Sequence, residues 1–148
     1  MGFEVQEIHT ADNDPKWNMP YTPALKVRGG AMIWVAGVTA APVYHSHPHV
    51  PEESRGLPAD AATQASMAFD NLESVLTAAG ATLDDVVVLF RFIVDIDRNQ
   101  DAINVVQAGR MSRRATSTTV EVTRLATGPE LLLELTAFAA VADGESLS

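Results

Sequence analysis

The chain has 148 residues, no cysteine and a formal net charge of -9. This length fits one ordinary domain, which buries roughly two thirds of the surface that the unfolded chain exposes. Without cysteine, neither disulfides nor thiolate-bound zinc or iron contribute to the fold or its chemistry. The acidic balance repels phosphate backbones and anionic lipid. We therefore expect a single domain over residues 1–148 and no nucleic-acid partner.

No segment of the sequence resembles a leader or a membrane span. The N-terminal residues lack a basic region followed by an apolar stretch. The uncharged run Met32–Tyr44 is too short, and too rich in glycine and proline, to cross a bilayer. We expect a cytoplasmic protein with no membrane partner, ending in a flexible tail at Asp143–Ser148.

The first quarter of the chain predicts β-strands. Phe3–Ile8, Ala24–Arg28 and Met32–Val38 have the composition of short strands. Gly29 and Gly30 stand between the last two, which predicts a tight hairpin turn joining them. The chain should therefore begin with an antiparallel arrangement.

After residue 60 the pattern changes from strand to helix and back. Apolar residues recur at intervals of three and four over Ala61–Ala79, which predicts a helix with one buried face. Asp60 is placed to act as its N-cap and Gly80 to end it. Val86–Val94 is a nearly unbroken β-branched and aromatic run, which predicts a central strand buried on both faces.

The last third predicts one more helix and two strands. Asn99–Arg110 has helical spacing, with Asp97 or Asn99 as its cap. Thr116–Val122 and Leu131–Val141 are typical of strands. The expected fold class is α+β, with two helices packed on one face of a mixed, mostly antiparallel sheet.

The opposite face of that sheet should also carry apolar residues. We assign five residues to it: Val87, Leu89, Ile93, Leu133 and Leu135. Since the sequence offers no third helix to cover them, another copy of the same sheet is the simplest cover. A closed homo-oligomer is therefore expected.

The segment His45–Pro58 is dense in proline, histidine and charge and predicts a long exposed loop. It contains three histidines at alternating positions, His45, His47 and His49. Alternation in an extended segment can suit a metal ion, but Pro48 and Pro51 interrupt regular pairing. We expect no metal here, and either a solvated loop, a cap on an interface, or a cleft-lining loop in which an imidazole shuttles protons.

Five separated motifs resemble the RidA family, also called YjgF-like, and occur in that family's order. They are Pro20–Ala24, Val35–Gly37, Ala65–Leu72, Ala78–Val87 and Thr119–Leu125. The resemblance covers nearly the whole chain, from about Pro20 to Val141. It implies a chorismate-mutase-like fold and a homotrimer with a central barrel. It further implies three clefts between subunits that hydrolyse enamines and imines to ketoacids and ammonia, without a metal or organic cofactor.

The resemblance also implies site residues. Tyr21 matches the family's cleft tyrosine, Asn104 its helix asparagine, and Glu134 the glutamate that holds the attacking water. Gly37 matches the cleft glycine. Without the resemblance, structural roles remain open for all three: Tyr21 as a packed loop aromatic, Asn104 as a solvated or backbone-bonded residue, and Glu134 as a structurally paired acid.

The family's substrate-binding arginine is replaced by Ser117 in this sequence. A hydroxyl replaces neither the charge nor the paired N–H donors with which arginine binds a carboxylate, so we expect ordinary 2-imino acids to bind poorly. Arg114 or Arg91 is a candidate to supply the missing charge. Arg91, which lies within an apolar strand, is equally compatible with a structural ion pair to Asp95 or Glu121.

These features predict a divergent RidA-like trimer that acts on a neutral or atypical small molecule. The expected chemistry is hydrolysis of a C=N bond or tautomerisation, with Glu134 as acid and base. The alternative is a non-catalytic trimer that binds a metabolite and protects against stress. Nuclease activity, attributed to some relatives, is disfavoured by the acidic charge.

Overall fold

The computed structural model, which describes residues 2–144, contains six strands and two α-helices in the order βββαβαββ. The strands are β1 (Glu4–Ile8), β2 (Ala24–Arg28), β3 (Ala31–Val38), β4 (Val86–Val94), β5 (Thr116–Val122) and β6 (Leu133–Val141); the helices are α1 (Ala61–Ala78) and α2 (Ile96–Arg110). Single turns of 3-10 helix at Pro51–Ser54 and Leu83–Asp85 precede α1 and β4. The predicted tail Asp143–Ser148 lies, beyond Gly144, outside the described residues.

The main sheet has four strands in the order β3-β6-β4-β5. β6 runs antiparallel to both β3 and β4, while β4 and β5 are parallel and α2 makes the crossover between them. The prediction of a mixed, mostly antiparallel sheet with two helices is therefore confirmed. Among residues 2–144 no helix is long and apolar enough to cross a membrane.

The predicted hairpin between β2 and β3 is wrong. β2 pairs with β1 in a separate two-stranded sheet, whereas β3 pairs with β6. Gly29 and Gly30 have φ angles of 67° and 74° and direct the chain from the small sheet into the large one. A Cβ on Gly30 would lie 2.5 Å from Phe3 Cδ2 and would also collide with the carbonyl oxygen of Val141. The glycine pair thus makes a close-packed corner, which has the same local sequence signal as a hairpin turn.

Helix α1 begins and ends as predicted. The Asp60 carboxylate accepts hydrogen bonds from the backbone N and the Oγ1 of Thr63, at 2.8 and 2.7 Å. Gly80 follows the helix with a φ of 78°, the left-handed conformation that favours glycine. The apolar face of α1, with Phe69 and Leu72 fully buried, covers the large sheet.

Helix α2 begins at Ile96, three residues before the predicted start. Its N-terminus is capped from β5, because the Ile96 backbone N–H donates to the Glu121 carboxylate at 2.9 Å. Asn99 is buried inside the helix, where its side-chain amide donates to the Val94 carbonyl at 2.7 Å. The cap residue lies 25 positions away in sequence, so local pattern alone could not identify it.

Four of the five residues assigned to the uncovered face of the large sheet lie on its other face. Leu89, Ile93, Leu133 and Leu135 belong to the core between sheet and helices, and all are at most 1% exposed. The opposite face, here called the outer face, carries the alternate residues of each strand. Trp34, 70% exposed, lies there with its ring centroid 4.6 Å from that of Phe138. The outer face is therefore apolar, as expected, but through a different set of side chains.

Candidate functional site

A cavity of about 800 Å³ opens at the edge of the large sheet, between α2, β5 and the segment before β2. Three arginines line it, Arg91, Arg113 and Arg114. Among residues 2–144, no aspartate or glutamate contributes to its lining. In a chain with a formal net charge of -9, this is a locally cationic site.

Arg91 is the buried member of this group, only 6% exposed. Its Nε donates to Thr119 Oγ1 at 2.9 Å, and its Nη1 donates to Asn104 Oδ1 at 2.7 Å and to Gln107 Oε1 at 3.1 Å. The predicted ion pair with Asp95 or Glu121 is wrong, because the described part of the chain places no carboxylate within ion-pair distance of Arg91. The guanidinium is thus held by neutral groups alone.

Burial lowers the pKa of Arg91 from its usual value. An arginine begins so far above neutrality that it keeps its charge even so. Nη2 donates to none of the described residues. Every fully buried side-chain donor among residues 2–144 has a hydrogen-bond partner, so Nη2 cannot be fully buried. Nη2 is therefore the part of the guanidinium that remains open to the cavity.

Tyr21 reaches the same cavity from the loop before β2. The neighbouring Thr22 is buried and donates through its Oγ1 to the Arg114 carbonyl at 2.9 Å, while its backbone N–H donates to the Ala115 carbonyl at 3.2 Å. These bonds fasten the tyrosine loop to the segment that leads into β5. Tyr21 and Arg114 consequently lie on the same cavity wall, with both side chains exposed.

Ser117 and Asn104 complete the predicted residues that the structure brings to this cavity. Ser117 pairs with Leu89 of β4, and Thr119, two residues on, pairs with Arg91, so both β5 side chains lie on the helix side of the sheet. Asn104 projects from α2 and orients Arg91 through the 2.7 Å bond. Its observed partner is therefore a side chain of the cavity.

Glu134 and Gly37 form a second group, on the outer face. Glu134 pairs with Phe92, whereas its neighbour Leu135 pairs with Arg91, which places Glu134 opposite the cavity side of the sheet. A bulge in β3 sets Ala36 and Gly37 against a single residue of β6. Because Gly37 has no side chain, the Glu134 carboxylate rests against it: a Cβ there would lie 2.9 Å from Glu134 Oε2.

The Glu134 carboxylate lies half-buried among apolar strands. Burial raises its pKa above the usual value for glutamate, since the charged form loses hydration. A carboxyl group with a raised pKa can accept a proton from water and return it near neutral pH. Its surroundings therefore suit acid–base chemistry.

Within one protomer the two groups of predicted residues stay apart. Tyr21, Asn104, Arg114 and Ser117 line the cavity, whereas Glu134 and Gly37 do not. Sequence reasoning missed Gln107 and Thr119 as partners of Arg91. The one available signal was an arginine inside the apolar run Val86–Val94, which required a buried polar environment.

The fold and these groups define a small α+β protein with an arginine-lined cavity at the edge of a four-stranded sheet. The family model described as Endoribonuclease L-PSP matches residues 11–141. RutC family protein SSO3206 from Saccharolobus solfataricus is 30% identical over 135 residues, covering 91% of this chain and 98% of that protein. The chain therefore belongs to the Endoribonuclease L-PSP family.

Solved structures agree with that assignment. YyfB of the Rid protein family from Yersinia pestis superposes with a TM-score of 0.74 at 26% identity, covering 93% of this chain and 98% of that chain. Rv2704 of the YjgF/YER057c/UK114 family from Mycobacterium tuberculosis superposes with a TM-score of 0.60 at 30% identity, covering 93% and 100%. E. coli TdcF, solved with bound serine, superposes with a TM-score of 0.61 at 25% identity, covering 93% and 99%. The resemblance drawn from the sequence motifs is confirmed.

Proposed function

We propose that this chain is a divergent Rid-type enzyme that binds a small anionic imine or enamine and hydrolyses or tautomerises its C=N group. The observation that carries the proposal is the cavity to which the described part of the chain contributes three arginines and no carboxylate. A neutral ligand would leave these arginine charges without a counter-charge. The cavity therefore favours an anionic ligand over the neutral ligand that the sequence suggested. The proposed assembly is a homotrimer.

The mode of anion binding follows from the hydrogen bonds of Arg91. Its Nε and Nη1 are already engaged, which leaves Nη2 as the one free donor nitrogen instead of a fork of two nitrogens. Ser117 adds a hydroxyl, and Arg114 adds a second charge at the exposed wall. This arrangement supports a substrate whose anionic group is placed differently from the carboxylate of a simple 2-imino acid.

Glu134 supplies the chemistry in this proposal, across the interface from a neighbouring copy. Its carboxylate takes a proton from water as the oxygen adds to the carbon of the protonated imine, which gives a neutral carbinolamine. The protonated Glu134 then donates to the departing nitrogen, and the hydroxyl group of the carbinolamine gives its proton to solvent, so that a carbonyl compound and ammonia form. The raised pKa of Glu134 supports both proton transfers.

The decisive measurement is ammonia release from imines generated in situ by an amino-acid oxidase. Substrates derived from amino acids with acidic side chains should turn over faster than those with apolar side chains. Glu134→Gln should abolish turnover, whereas Glu130→Gln, at an exposed carboxylate in the loop before β6, should not. Release no faster than the spontaneous rate, or equal rates in the Glu134→Gln variant, would contradict the proposal.

A non-catalytic binding protein is the second candidate, because the cavity and Glu134 lie on different faces of one protomer. Native mass spectrometry of the purified protein distinguishes the two: a co-purifying small anion that is released chemically unchanged favours binding alone. The nuclease activity that the family description names is not proposed for this chain, since its net charge of -9 opposes RNA binding.

A further inference from the structure

The three histidines of the loop after β3 converge on one another. The ring centroids of His45 and His47 lie 4.9 Å apart, those of His47 and His49 lie 4.7 Å apart, and those of His45 and His49 lie 5.2 Å apart. One nitrogen from each ring lies within 4.8 Å of the others. The sequence argument against a metal was that Pro48 and Pro51 interrupt the extended conformation in which alternating histidines share one side. The segment instead folds back, so that all three rings meet.

One of the rings is already oriented as a ligand. His45 Nδ1 lies 2.9 Å from the Pro42 carbonyl oxygen. A carbonyl oxygen only accepts hydrogen bonds, so Nδ1 must carry the proton, and the lone pair of the neutral ring is on Nε2. A hydrogen bond from the second ring nitrogen to a carbonyl is the usual outer support of a metal-bound histidine.

The loop that carries the rings is held closed by a carboxylate. Glu53 accepts hydrogen bonds from the backbone N and the Oγ of Ser46, at 2.7 and 2.5 Å. This contact spans seven residues and encloses His47 and His49, while His45 directly precedes Ser46. Such fixation reduces the conformational entropy that a bound ion would otherwise have to overcome.

We propose that His45, His47 and His49 bind one divalent transition-metal ion, of which zinc is the expected class. Three imidazoles with one open position form a recognised zinc ligand set, and imidazole also suits copper and nickel. Zn–N bonds of about 2.1 Å put tetrahedral nitrogens about 3.4 Å apart. The ligand nitrogens therefore need to approach by about 1.4 Å at most, a movement that rotation of the exposed His47 and His49 side chains provides.

The test is zinc titration by calorimetry on untagged protein, with Co²⁺ absorption as a separate readout of tetrahedral coordination. We expect one ion per chain. His45→Ala, His47→Ala and His49→Ala should each weaken binding by more than about tenfold, because even the loss of an outer-shell partner costs about that much. His9→Ala removes the chain's only other histidine and should leave binding unchanged.

Less than one zinc per chain at stoichiometric concentration would overturn the proposal, as would binding that survives His47→Ala. Circular dichroism without metal checks that each variant folds, and we expect no change, because His47 and His49 are exposed and His45 lies in the same loop. The titration needs no substrate, so its result is independent of whether the chain hydrolyses imines.

Discussion

Gly37 gives the Glu134 carboxylate its place on the outer face of the sheet. A Cβ at position 37 would lie 2.9 Å from both Cδ and Oε2 of Glu134, closer than such atoms approach in proteins. The bulge in β3, which falls between the pairs Val35–Ala137 and Val38–Leu135, brings this glycine against the Glu134 side chain. The position of the Glu134 carboxylate, the proposed acid–base group, therefore depends on the lack of a side chain at Gly37 in β3.

Gly37→Ala should displace the Glu134 carboxylate and lower kcat/KM for imine hydrolysis by about 10- to 100-fold, the cost of a shift of about 1 Å at a reacting group. Gly109→Ala is the matched control, because outside its own helical turn a Cβ there would meet none of the described residues within 4 Å. It lies in α2, where alanine is favoured over glycine by about 1 kcal/mol. Unchanged kinetics in Gly37→Ala would show that the position of Glu134 is irrelevant to turnover.

The raised pKa of Glu134 predicts how stability depends on pH. The folded protein holds this proton more tightly than the unfolded chain, so the free energy of unfolding falls as pH rises from the ordinary value of 4.5 through the raised one. Above that window the contribution stays constant. Glu134→Gln removes the decline and should make the protein more stable than wild type at neutral pH. Urea unfolding of both proteins across this range, with Glu130→Gln as the control for loss of one charge, measures the difference.

Local signals predicted the elements well, and contacts distant in sequence account for the errors. Asp60 and Gly80 mark the two ends of α1, and the sequence could predict them because capping acts within one turn. The start of α2 depends on Glu121 of β5, which no helical pattern reveals. Strand parity was likewise misassigned, since only register shows that Leu89 faces the helices.

For the site as well, local motifs were predicted correctly and contacts distant in sequence were not. Tyr21, Asn104 and Ser117 were identified by motif position, and the structure brings them to one cavity. The neutral partners of Arg91 come from α2 and β5, so its environment could only be established in three dimensions.

Arg91→Met should separate binding from stability. A buried guanidinium with only neutral partners is costly to desolvate, so its removal should change the free energy of unfolding by less than about 1 kcal/mol, or raise it. Affinity for small anions should fall about 10- to 100-fold, the value of one charge-assisted hydrogen bond. Calorimetry with succinate and phosphate measures the loss.

The matched variant for this prediction is Arg110→Met. Arg110 is paired with Asp70 and Glu73 at 2.8 and 2.9 Å and does not line the cavity. Arg110→Met removes the same charge from the chain as Arg91→Met and should leave anion affinity unchanged. Equal losses in both variants would indicate a general charge effect instead of a specific site at Arg91.

Trp34 is the residue whose substitution should most directly disturb assembly. It is 70% exposed on the apolar outer face, where its ring packs against Phe138. Trp34→Lys places a charge in the proposed interface and should convert a trimer into monomers at micromolar concentration, as measured by sedimentation. Trp17→Lys, at the chain's other tryptophan, 58% exposed in the loop after β1, should remain trimeric. A wild-type chain that sediments as a monomer would contradict the proposed assembly.

Complementation between two impaired variants, measured at substrate concentrations below KM, tests whether the catalytic site combines groups from neighbouring subunits. Arg91→Met retains Glu134, and Glu134→Gln retains the cavity. In a cyclic trimer each cleft would take its cavity from one subunit and its carboxylate from the next. Random mixing at equal amounts then gives about one quarter of clefts with both groups intact, so co-expression should restore about one quarter of wild-type ammonia release. A site contained within one protomer predicts no recovery, because no single chain in the mixture would hold both groups.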